Sequence, residues 1–214
     1  MPEPMFTSIR DGAFSWSTTD PADDWVMVGH LFVRKTGVVF VDPPLVPGLI
    51  DAAAKFGKPE AVLLTTQNHT RAAAFLRKRA GIPAYLPEQD PNSVDPREAV
   101  KVKGIGDFEI YRAGSVLGFR AYKSGSEHVL LTEEKELLTG DIAAGDRKGN
   151  LLLWPDWYTQ GPPYDAYSKE LKDSERKEIK EAFKALVKRT RAGSLLASHG
   201  HDIIGNLQAR ASKL

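Results

Sequence analysis

The chain contains short, unbroken apolar runs where a strand with one wet face would alternate. Ala61 to Thr65 reads AVLLT, and Leu195 to Ser198 reads LLAS. Runs this short without polar alternation suit strands buried on both faces, and such strands need helices packed over their sheet. Candidate helices lie close by. Pro47 to Phe56 places Leu49, Ile50, Ala53 and Phe56 at helical spacing, with Gly57 following. Thr70 to Arg79 is rich in Ala, Leu and Arg and closes at Gly81. Both segments have the periodicity and stop signals of helices. Before them, HLFVR, KTG and VVFVD predict a hairpin that turns at Gly37 and is stopped by Asp42-Pro43-Pro44. Ile82 to Leu86 supplies a further strand, so the first half alternates strand and helix.

The middle of the chain changes character. FEIYR, GFRAY, HVLL and ELLTG are short strands separated by Gly, Ser and Glu-Glu-Lys turns, the pattern of a meander. A stretch rich in Gly, Pro, Trp and Tyr then runs from Ile142 to Tyr167, longer than a simple connection needs and therefore a candidate wall for a site. Its rings, Trp154, Trp157, Tyr158, Tyr164 and Tyr167, form either a cover over a sheet edge or a partner surface. Ser174 is placed to cap a helix whose stripe is Ile179, Phe183, Leu186 and Val187, with Lys188, Arg189 and Arg191 in its last turn and Gly193 beyond.

Composition narrows the partners. With 29 Lys and Arg against 28 Asp and Glu in 214 residues, the net charge is +1, so no global field recruits nucleic acid or an anionic membrane. An apolar fraction of 42% is globular, and no linker or repeat divides the chain, so a single domain over residues 1–214 is expected. The absence of cysteine removes disulfides, thiolate metal sites and a cysteine nucleophile. No apolar run approaches the roughly 20 residues of a membrane helix, and MPEPMF lacks a basic start followed by an apolar stretch. A soluble, cytoplasmic protein is expected. Neither Gly-x-Ser-x-Gly nor a glycine-rich phosphate loop is present.

Four features follow one another in a fixed order. A strand ends in Asp-Pro before a helix. A strand runs into a polar turn containing His69. Thr139-Gly140-Asp141 follows the meander, and Ser198-His199-Gly200 ends a late strand. This order resembles the metallo-β-lactamase superfamily of glyoxalase II-like metallo-hydrolases, over roughly residues 25 to 205. The resemblance implies an αββα sandwich with metal ligands clustered at strand ends. The superfamily signature is Thr-His-x-His-x-Asp-His, and here the segment is Thr66-Gln67-Asn68-His69-Thr70-Arg71-Ala72. His69 is retained. Gln67, Arg71 and Ala72 stand where the other two histidines and the aspartate would be. Tyr122 stands where the next ligand histidine would be, while Asp141 and His199 match the shared aspartate and the final histidine.

The resemblance therefore implies a ligand set of His69, Asp141 and His199, against six or seven residues in an intact dimetal site. Arg71 adds a permanent positive charge that opposes a divalent cation beside it. From this comes the expectation that Arg71 fills the vacated cation position and pairs with Asp141. Two functions stay open. One is a non-catalytic or metal-independent protein with no resident cofactor, whose pocket of Gln67, His69, Arg71, Tyr122, Asp141 and His199 takes a small anionic molecule or is a structural relic. The other is a hydrolase using one zinc, iron or manganese ion on His69, Asp141 and His199. A homodimer through the aromatic stretch is a third possibility. His201 lies two residues from His199, and of the two His199 is taken as the candidate. His30 and His128 are expected to be surface or packing residues.

Overall fold

A computed structural model of the chain describes residues 5–19, 26–88, 108–124, 127–154, 156 and 172–214. The chain divides into two compact units, Met1–Arg112 and Ala113–Leu214. The first is built on a seven-stranded sheet whose order follows the sequence. Strands β1 (Thr7–Arg10), β2 (Ala13–Thr19), β3 (Val26–Val33) and β4 (Val38–Val41) pair antiparallel. The hairpin expected around Gly37 is the β3–β4 pair. From β4 onward the pairing turns parallel, through β5 (Pro59–Leu63), β6 (Ala84–Pro87) and β7 (Glu109–Tyr111).

Parallel neighbours need crossovers, and two short helices supply them. Helix α1 (Leu49–Ala53) joins β4 to β5; a 3₁₀ turn (Gln67–His69) and helix α2 (Ala73–Ala80) join β5 to β6. Gly81 ends α2 with φ +66°, where its amide caps the Arg77 carbonyl. The apolar runs behave as expected: Val38 to Val41 and Ala61 to Leu64 are all buried. Val38, Phe40, Val62 and Leu64 pack with Leu49, Leu76 and Leu86 in one core. FEIYR does not join the meander as expected. Its Glu109–Tyr111 lies parallel to β6, and the Tyr111 hydroxyl donates to the Leu64 carbonyl at 2.6 Å.

The second unit carries a five-stranded sheet of order β14-β11-β10-β9-β8. Strands β8 (Gly114–Val116), β9 (Phe119–Ser124), β10 (Glu127–Leu131) and β11 (Glu136–Thr139) form the antiparallel meander. Strand β14 (Ser194–Ala197) then adds parallel to β11. Between them, β12 (Ala143–Gly145) and β13 (Leu151–Leu153) form a small hairpin inside the stretch expected to be loop. Of the aromatic residues in that stretch, Trp154 is half-buried, with its amide on the Ile142 carbonyl; Trp157, Tyr158, Tyr164 and Tyr167 lie outside the described residues.

Helix α3 (Asp173–Thr190) covers this sheet, and a short α4 (Leu207–Ala211) follows β14. Ser174 is not its cap; Lys172 is, and its amide donates to Glu175 Oε2 at 2.8 Å. The stripe read from the sequence buries Phe183, Leu186 and Val187 against Leu137, Leu195 and Val129. His30 and His128, expected at the surface or in packing, are both buried. No helix among the described residues is long and apolar enough to cross a membrane.

Phe183 is fully buried at the centre of the α3 contact. Phe183→Ala should lower the unfolding free energy by about 3–5 kcal/mol in urea titration, the usual loss for a large core side chain. A loss under about 1 kcal/mol would mean that α3 does not hold this sheet.

Candidate metal centre

Apart from Tyr122, the residues singled out in the sequence follow the carboxyl ends of parallel strands, where doubly covered sheets characteristically place their chemistry. In the first unit β4 runs into Asp42, and β5 runs into Thr65, Thr66 and the turn that carries His69. In the second unit β11 runs into Asp141 and β14 into His199.

Asp42 organises the first group. It has φ +44°, a left-handed conformation that aspartate tolerates better than most residues. Its carboxylate is fully buried. Oδ1 accepts from the Thr65 amide at 2.8 Å; Oδ2 accepts from the Thr65 hydroxyl at 2.5 Å and from His69 Nδ1 at 3.0 Å. An ionised carboxylate only accepts, so the proton of this contact sits on Nδ1 and the Nε2 lone pair of His69 is left as the basic one. Asp42 was expected only to stop a strand. Its position, between a buried strand and two prolines, was the available signal that its side chain turns inward.

The substituted ligand positions have their own contacts. Gln67 Nε2 donates to the Pro87 carbonyl at 3.3 Å, and Thr66 Oγ1 caps the turn by accepting from the Asn68 amide. Arg71, at φ +31°, donates from Nη1 to the carbonyls of Val28 at 3.0 Å and Asp42 at 2.9 Å. Its guanidinium is thus tied to the same turn that holds the Asp42 carboxylate.

In the second unit, parallel pairing aligns Thr139 with Ala197, so the residues two beyond each, Asp141 and His199, arrive side by side. Asp141 Oδ1 lies 3.5 Å from His199 Nε2. His199 is buried and His201 exposed. Gly200 between them has φ +67°, and a β-carbon there would come within 2.8 Å of the Gly145 carbonyl oxygen, the bridge partner of His201. The Asp202 carboxylate fixes the base of this segment by accepting from the Ala197 amide at 2.9 Å.

Glu127, which the sequence reading passed over, is buried at the head of β10. Its Oε1 accepts from the Gly140 amide at 3.1 Å, and its Oε2 from the amides of Asp141 at 2.5 Å and Ile142 at 3.2 Å. Tyr122 departs from expectation. It pairs with Val129 on β10 and packs with the residues beneath α3, its ring 4.8 Å from the Arg189 guanidinium. Strand pairing sets it on the helix-covered face, where it serves packing and cation–π contact.

The family comparison agrees with this layout. A family model described as "Metallo-beta-lactamase superfamily" matches residues 5–162, most of the chain. The chain belongs to the metallo-β-lactamase superfamily. Among solved structures it is similar to the DIM-1 metallo-β-lactamase, with a TM-score of 0.67 at 13% identity over 100% of this chain and 96% of the other. It is also similar to a metallo-β-lactamase from Pontibacter korlensis, at TM-score 0.62 and 16% identity over 97% and 94% of the two chains. A third is FIM-1 from Pseudomonas aeruginosa, in its mono-zinc form, at TM-score 0.61 and 13% identity over 98% and 93%. Identities this low speak for the fold alone, and that fold is the αββα class expected from the sequence. No curated protein matches the chain in sequence.

Removing the Asp42 carboxylate strands the donors of Thr65 and His69 in a dry site. Asp42→Ala should therefore cost about 3–5 kcal/mol in urea unfolding, and Asp42→Asn, which keeps an acceptor and tolerates φ +44°, clearly less. Equal losses from the two variants would mean that the charge is not what the site uses.

Proposed function

We propose that this superfamily member has a reduced metal centre that holds one divalent ion on His69, Asp141 and His199, in place of the pair that a full ligand set binds. Each of the three offers one ligand atom. The observation that carries the reading is the buried Asp42–His69 contact at 3.0 Å. A carboxylate behind an imidazole fixes the tautomer and raises the basicity of a ligating histidine.

Two imidazoles and one carboxylate suit zinc or iron(II) and leave positions open for substrate. FIM-1, which shares the fold, has been crystallised in a mono-zinc form. When bound, the ion supplies Lewis acidity toward a carbonyl or phosphoryl oxygen, the chemistry of a hydrolase. The chain's own part is to present His69 Nε2, to place Asp141 beside His199, and to set negative charge on Asp141 against the cation. Gln67, Arg71 and Ala72 at ligand positions argue against a second ion, because the Arg71 charge repels it and neither of the others coordinates well.

A second reading has the pocket take a small anion without metal, with Arg71 paired to Asp141 and no hydrolysis. It is favoured by the permanent charge of Arg71, whose position in the signature segment is otherwise an aspartate's. Metal analysis of protein purified without chelator separates the two. The first reading expects about one zinc or iron per chain, lost in His69→Ala and His199→Ala, as three protein ligands require. Protein that stays metal-free after incubation with excess zinc, and still binds phosphate or a small carboxylate in an Arg71-dependent way, overturns it in favour of the second.

A further inference from the structure

We propose that Glu127 is a positioning residue for the metal centre: its buried carboxylate holds the Gly140–Ile142 backbone so that Asp141 faces His199. The proposal rests on the one-metal reading for its functional meaning, but its geometry stands within the second unit. Strands β10 and β11 pair Leu131 with Leu137 and Leu130 with Leu138. Carried four residues past Leu131, the same register sets position 127 opposite position 141, just where β11 has ended and the backbone ladder is gone. Glu127 replaces that ladder with its side chain.

Three consecutive amides converge on one carboxylate, the arrangement of an anion-binding nest in which protein supplies the anion. The hold is specific to Asp141. Bonds to the amides before, at and after it constrain both of its backbone torsions, which fixes the direction of its side chain. The closest of the three, 2.5 Å, is to the Asp141 amide itself. The consequence is the 3.5 Å approach of Asp141 Oδ1 to His199 Nε2. Thr139 secures the other side of the turn by donating to the Ala143 carbonyl at 2.8 Å. Glu127 touches neither imidazole in any of these contacts and acts through Asp141. It also places a second anion at the strand end that is to receive a cation, which favours binding in a site shielded from water.

Glu127→Gln tests this, because it keeps the shape while turning an NH₂ group toward amides that need an acceptor. Leu137→Ala, a core truncation in the same sheet, controls for loss of stability. In the full-length protein, Glu127→Gln should weaken zinc binding about 10- to 100-fold and alter the visible spectrum of the cobalt(II)-loaded form, as loss of support behind a ligand does. Leu137→Ala should leave both near wild type at a comparable thermal midpoint. Wild-type affinity and spectrum in Glu127→Gln, or an equal loss in Leu137→Ala, overturns the proposal.

Should the wild-type protein bind no zinc, the one-metal reading fails, and amide hydrogen exchange on the metal-free protein decides the role of Glu127. The expected result is exchange at Gly140, Asp141 and Ile142 accelerated about tenfold or more by Glu127→Gln, with Leu130 and Leu138 unchanged. Unchanged rates at the three amides, or acceleration throughout both strands, overturn it.

Discussion

Asp42 puts a negative charge where no water reaches it, and what makes that tolerable is the set of donors gathered around it. A buried ion costs several kcal/mol after relaxation, whereas a hydrogen bond to a charged group returns about 1.5–3 kcal/mol. One such bond loses against burial, and three roughly balance it. Among the donors to Asp42 are the Thr65 amide, the Thr65 hydroxyl and His69. Their effect is to lock the end of β4 to the end of β5 and to set one imidazole in a single orientation.

The same physical problem recurs wherever a strand ends inside the protein, because amides released from the ladder still need acceptors. The second unit meets it with other carboxylates. Glu127 takes the amides beyond β11, and Asp202 takes the Ala197 amide at the end of β14. Carboxylates suit the task better than carbonyls, since one side chain accepts several bonds at once and its charge strengthens each of them. A further property follows from this chemistry. Strand ends finished by anions are electrically prepared for a cation, so the groups that complete the fold also bias the site.

Much of this was legible in the sequence, and the reasons for the rest are physical. The unbroken runs at Ala61–Leu64 and Leu195–Ala197 announced strands buried on both faces, and they are buried. The stripe of α3 was visible because Phe183, Leu186 and Val187 repeat at helical spacing. His69, Asp141 and His199 stood out because motif order survives where overall identity is low. Glu127 was hidden because a glutamate after Ser124-Gly125-Ser126 looks like a solvated turn residue. Only strand register, a long-range quantity, brings it opposite Asp141. Tyr122 was misplaced for the related reason that motif alignment carries no information about which face a strand residue takes. Val129 across the ladder decides that, and it sends Tyr122 under Arg189. Strands β12 and β13 are three residues each, too short for periodicity to declare them.

The substituted signature segment can be understood in the same terms. In a full dimetal site the ions themselves cross-link the loop after β5 to the rest of the protein. Here the loop is tied by hydrogen bonds to backbone: Gln67 to the Pro87 carbonyl, Arg71 to the carbonyls of Val28 and Asp42, and the Ala72 amide to the Pro43 carbonyl. Two of these ties come from side chains standing where ligands stand in the superfamily. The replacements therefore do more than delete coordination. They add bonds within the chain that hold the loop carrying His69. Arg71 shows this most directly, because its guanidinium, a permanent positive charge, holds the Asp42 turn through the Val28 and Asp42 carbonyls.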